Sequence, residues 1–174
     1  MQKINVASVI KAHLETLSQG NRLVRDDFLL FYLAPFLCGI SFVIFKAEVP
    51  EKALELSISV FSIFAALLLS VQVAMYGVAL RGVTPPDDAK KIKHFEELKA
   101  NRDLLLKQLN SNISYLILLS VITVTVTLVL FFLKPPRVYG SALVVFFYIH
   151  FFLTLLMVIK RSSIVFSREY DQRI

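Results

Sequence analysis

The sequence lacks the equipment of a soluble enzyme. No HExxH, GxSxG, phosphate-binding loop or GxGxxG occurs. Its three histidines, His13, His94 and His150, are split between expected cytoplasmic segments and an expected span, and no cysteine stands beside them to complete a catalytic set. A single cysteine, Cys38, excludes disulfides within the chain and thiolate metal clusters of the CxxC type. Charge is also scarce: only 18% of the 174 residues are Asp, Glu, Lys or Arg, against about a quarter in a soluble domain. The first 27 residues, MQKINVASVIKAHLETLSQGNRLVRDD, have no uninterrupted apolar stretch and no small-residue cleavage site, so they are not expected to be a secretory signal. These absences point to an integral membrane protein that is not an enzyme and carries no cofactor or metal.

Apolar residues dominate: 56% of the chain is hydrophobic and the mean hydropathy is +0.67. About 20 residues of helix are needed to cross a hydrocarbon core about 30 Å thick. Four segments meet that length, at 28–45, 54–80, 113–133 and 141–159, and within them the single acid, Glu55, lies at an edge. The spans hold none of the buried acids that ion-coupled transporters use, and four helices are too few to enclose a lumen in one subunit. Any conduit would need several copies.

Lys and Arg mark the cytoplasmic side of a span. Fifteen of them lie in the N-terminal segment, in the central polar island with Arg81, and in the C-terminal tail; the loops KAEVPEK and KPPRVYG carry four. Both termini and the island are therefore expected in the cytoplasm. Pro50, Pro135 and Pro136 break the two short outer loops, which predicts two antiparallel hairpins, and Pro35 should kink the first span. The resulting layout is all-α. It has a cytoplasmic N-terminal amphipathic helix in 1–27, a first hairpin in 28–80 and a cytoplasmic helical linker in 81–112. A second hairpin in 113–159 and a basic cytoplasmic tail in 160–174 complete it.

In the N-terminal segment, Ile4, Val6, Val9, Ile10, His13, Leu14 and Leu17 share one side of a helical wheel, and Gly20 stands where the helix should stop. Such a helix can lie at the headgroups, pack on the protein's own cytoplasmic face, or dock a partner. The island, PPDDAKKIKHFEELKANRDLLLKQLN, opens on the helix-start pattern Thr84-Pro85-Pro86-Asp87. No Gly or Pro follows until Pro135, so one helix could run from the island through the third span. With six bases against five acids the island is nearly neutral, and direct nucleic-acid binding, which needs unopposed positive charge, is not expected. Phe95, Leu98, Leu105 and Leu109 form an apolar stripe interrupted by Arg102. They are the candidates for docking a cytoplasmic partner protein or a second copy of the chain.

Inside the spans, Ser62, Ala66, Ser70 and Ala74 recur every fourth residue. Small side chains at that spacing let helix backbones approach, either within the subunit or between subunits of a homo-oligomer. Gln72, His150, Ser120 and Cys38 fall at similar depths and form a candidate intramembrane polar layer. An amide or imidazole in hydrocarbon needs a partner or water. The layer reads either as hydrogen bonding that sets helix register or as a polar constriction in an oligomeric pore.

The N-terminal helical stretch, the two hairpins joined by the island, and the tail KRSSIVFSREYDQRI together resemble the small membrane subunits of bacterial anti-phage defence systems, such as the four-span membrane component of the Kiwa system. The resemblance implies an oligomer of the bacterial inner membrane that senses infection or perturbs the membrane. It also implies a cytoplasmic partner that supplies any nucleic-acid chemistry. It assigns no role to any single residue.

Overall fold

The computed structural model describes residues 5–19, 22–23, 25–80, 89–133 and 136–171. Gly20, the Thr84-Pro85-Pro86-Asp87 helix start and Pro135 lie outside the described residues. Helix α1 is Val6–Thr16. Asn5 caps it, its Oδ1 accepting the Ser8 N–H at 3.1 Å, which satisfies one of the donors left open at a helix start. A two-residue antiparallel ladder follows, Ser18–Gln19 against Arg22–Leu23. The chain then turns through Arg25–Phe28 (α2) and a π-helical turn, Leu29–Leu33, into α3, Ala34–Ile44.

Pro35 sits at the start of α3 and has no N–H to offer the carbonyl four residues back, that of Phe31. The helical register loosens at this point into the π-helical turn. Leu29–Ile44 is apolar throughout but covers about 24 Å at 1.5 Å per residue. The first expected span, 28–45, is therefore a shorter helix than the other three. Its far end closes with the Ala47 N–H on the Phe42 carbonyl at 2.9 Å and the Lys46 N–H on the Val43 carbonyl at 3.3 Å. That reversal puts Lys46 in the left-handed region, at φ 51°.

Among the described residues, three helices are long and apolar enough to cross a membrane: α4, Glu51–Ala79; the Phe95–Leu133 part of α5, Ala89–Leu133; and the Arg137–Val165 part of α6, Arg137–Asp171. The 45 residues of α5 form one unbroken helix, about 67 Å long. Helix α6 continues past the expected span end at residue 159, because nothing in the tail breaks it before Asp171.

The packing keeps the expected second pairing, α5 with α6, but not the first, α3 with α4. Helix α3 packs on α6, α6 on α5, and α5 on α4, while α1 lies against α5. The short Phe45–Pro50 connection thus joins two helices whose principal partners belong to the other half of the chain. At the centre, the Phe61 ring of α4 meets Phe151 of α6 edge-on, with centroids 5.0 Å apart. Leu109, Ile113 and Leu116 of α5 complete this core. Gly39 permits the α3–α6 contact: a Cβ there would stand 3.0 Å from the Ala142 carbonyl oxygen. The exterior is apolar, with Val73 74% and Phe132 78% exposed. A soluble surface would not carry so much apolar area, and lipid would cover it favourably.

Candidate functional site

The polar side chains buried between α1, α5 and α6 form the most concentrated chemistry in the described residues. Asn112 of α5, fully buried, is at the centre. Its Oδ1 lies 2.8 Å from His13 Nδ1 and 2.8 Å from Thr16 Oγ1, both on α1. An amide oxygen only accepts, so His13 carries its proton on Nδ1 and presents a lone pair at Nε2. The Thr16 hydroxyl also stands 2.7 Å from the His13 carbonyl and shares its proton between the two acceptors. The His13 ring lies flat on that of Tyr115, with centroids 3.9 Å apart and planes 1° from parallel.

Tyr115 continues the chain of contacts along α5 to α6. Its hydroxyl is 2.6 Å from His150 Nε2, and His150 Nδ1 is 2.6 Å from the Phe31 carbonyl. A carbonyl cannot donate, so His150 is protonated on Nδ1 and Nε2 accepts from Tyr115. Both imidazole nitrogens are thereby used in a side chain that is 1% exposed. The Phe31 carbonyl, which Pro35 leaves without its α-helical donor, is the acceptor that His150 uses. Tyr32 joins the group, its ring 4.9 Å from that of His150, with a hydrogen bond to Tyr115.

Arg161 of α6 closes the cytoplasm-facing end of the expected topology. Its Nη2 donates to the Thr16 carbonyl at 2.8 Å, where a cation complements the negative end of α1. Three atoms in this region, His13 Nε2, Asn112 Nδ2 and Arg161 Nη1, are buried without a hydrogen-bond partner. Burial lowers His13 from its ordinary 6.5 to about 4; the Asn112 bond opposes the shift, and the nearby His150 and Arg161 add to it. His13 is therefore neutral in the docked state at neutral pH.

The expected polar layer is not one assembly. His150 enters the Tyr115–Phe31 chain. Gln72 instead links α4 to α5, donating to Asn110 Oδ1 at 3.1 Å and to Ser114 Oγ at 2.8 Å. Ser120 is fully buried but turns its hydroxyl to the Leu116 carbonyl of its own helix. Thr123 and Thr127 do the same with Leu119 and Thr123. Cys38 is exposed on α3. The ridge residues Ser62, Ala66, Ser70 and Ala74 are all exposed on α4, with Ser62 and Ser70 bonded to their own helix. Among the described residues, the ridge is left uncovered.

Along the island's stripe, Leu109 is fully buried and Leu105 packs on the core, whereas Phe95 is half-buried and Leu98 is exposed. Arg102 interrupts the stripe for a structural reason: its Nη2 donates to the Val78 carbonyl at the end of α4, at 3.0 Å. Sequence reasoning placed His13 on the apolar side of its helix but missed its partners Asn112 and Tyr115. The one local signal was Pro35, whose spacing from Phe31 marks an open carbonyl. Among the described residues no three His, Cys, Asp or Glu side chains come together to hold a metal ion. No protein-family model, curated protein or solved structure matches this chain.

Proposed function

We propose that this chain is a four-span subunit of the bacterial inner membrane, with both termini cytoplasmic, that assembles as a homo-oligomer and docks a cytoplasmic partner protein. Its role on this reading is to sense a perturbation or act at the membrane during an anti-phage response. The observation that carries the reading is the unbroken α5. Its length of about 67 Å is more than twice a hydrocarbon core of about 30 Å, so a rigid polar extension must project beyond the bilayer. Leu98, exposed on that extension beside Phe95, is a place for a partner to pack.

The four-span topology includes Leu29–Ile44 as the shortest span, which a bilayer accommodates by thinning around it. The open ridge Ser62–Ala66–Ser70–Ala74 supports contact between copies through α4. Isolation in mild detergent tests the proposal. A stoichiometric soluble partner that is lost on Leu98→Glu supports it. Oligomers with no partner, conducting ions in liposomes, would instead make the protein a channel. Ala66→Phe on the exposed ridge should shift the oligomer toward monomer without unfolding it.

A further inference from the structure

We infer that α1 is an acid-released latch, held on α5 and α6 by a neutral His13 and let go when that imidazole takes a second proton. The geometry leaves the docked ring no place for the charge. Nδ1 already donates to Asn112, so the added proton must go to Nε2, which is buried and faces no acceptor. The ring face is covered by Tyr115, only 3.9 Å away.

The charged and titratable groups around it do not help. From α5 comes Tyr115, which is neutral; from α6 come His150 and the guanidinium of Arg161, which opposes a second cation. Asp27 lies near Arg161 and acts on that cation, while Lys11 and Glu15 of α1 are exposed. An undocked α1 places His13 in water, where protonation at mildly acid pH is ordinary. Protonation and docking therefore exclude each other.

The sign follows from linkage. The docked imidazole binds its proton more weakly than the free one, so docking is strongest above pH 6.5 and weakens as pH falls from there toward 4. Between pH 7.5 and 5.5 the docking equilibrium should fall about tenfold. Release would uncover the Asn112 side chain and the ring face of Tyr115 on α5.

Hydrogen exchange on the full chain in detergent micelles tests this, with rates corrected for their intrinsic pH dependence. Protection of residues 6–16 should fall about tenfold between pH 7.5 and 5.5 while residues 113–133 keep theirs, which separates release of α1 from global unfolding. His13→Gln keeps an N–H for Asn112 but cannot titrate, and its protection should be flat across that range. Should His13→Gln leave α1 undocked at both pH values, Asn112→Asp decides. A carboxylate beside His13 stabilises the imidazolium and should hold α1 down at pH 5.5. Flat protection in the wild type, persistent pH dependence in His13→Gln, or wild-type release in Asn112→Asp would each overturn the latch.

Discussion

His150 donates to the carbonyl of Phe31 at 2.6 Å, and Phe31 is the residue whose α-helical donor Pro35 removes. A proline in a helix frees the carbonyl four residues back, and where water is excluded a neighbouring helix must satisfy it. Here α6 supplies an imidazole, and the same ring accepts from Tyr115 on α5. Three segments are thereby fixed in rotation and depth by two hydrogen bonds. Replacing His150 by Phe keeps an aromatic ring but leaves the Tyr115 hydroxyl and the Phe31 carbonyl without this partner, at a cost of about 2–4 kcal/mol. In a Pro35→Ala background the Phe31 carbonyl regains a backbone donor, and the cost should shrink by about 1 kcal/mol. Strictly additive losses in a double-mutant cycle, followed by denaturation in detergent, would show that the proline and the histidine are not linked.

Gly39 should be intolerant of even one methyl group. Its missing Cβ leaves room for the Ala142 carbonyl of α6 at 3.0 Å, and a backbone oxygen cannot swing aside as a side chain tip can. Gly39→Ala should push α3 from α6 and cost about 1–3 kcal/mol. Gly77→Ala is the control, because nothing stands within 4 Å of the position of its Cβ. The control change should be neutral or slightly stabilising, as expected of alanine in a helix. Thermal melts of the two variants in the same detergent compare them directly.

The course of α5 was legible because a negative pattern governs it: no residue between Pro86 and Pro135 breaks a helix. The same reasoning, applied to the tail, would have carried α6 to Asp171; its polar composition hid a helix that still buries Val165 in the core. Counting along each helix grouped Gln72, His150, Ser120 and Cys38 at one expected depth. Depth says nothing of azimuth, however. Cys38 faces outward, Ser120 turns to its own backbone, and Gln72 and His150 serve different helix pairs. The His13–Asn112 contact joins residues 99 apart, and no local period encodes such a meeting. The pairing of α3 with α6 was equally hidden, because short loops imply neighbours in sequence while packing is decided by which faces fit.

Arg102 should matter through the end of α4 rather than through its charge. It donates to the Val78 carbonyl, one of those left open where α4 stops. Arg102→Met keeps most of the apolar stem and removes the donor, so it should cost about 1–2 kcal/mol. The loss should be local: amide exchange near residues 75–79 should quicken while the helix centre around Phe61 is unchanged. Arg102→Lys, with a shorter reach and no fork, should recover less than half of the loss. Equal loosening throughout α4 would contradict the capping role.

Lys46 is the residue most readily improved. It occupies the left-handed position after α3, at φ 51°, where a side chain crowds the following carbonyl and glycine does not. The two reversing hydrogen bonds, from Ala47 to Phe42 and from Lys46 to Val43, hold the conformation regardless of the residue present. Lys46→Gly should thus stabilise the protein by about 0.5–1 kcal/mol, the relief of strain exceeding the entropy glycine adds to the unfolded chain. Lys46→Val, β-branched at the same φ, should destabilise by a similar or larger amount. Opposite shifts in the unfolding midpoint of these two variants would identify backbone conformation, and not the lysine charge, as the quantity that position 46 controls.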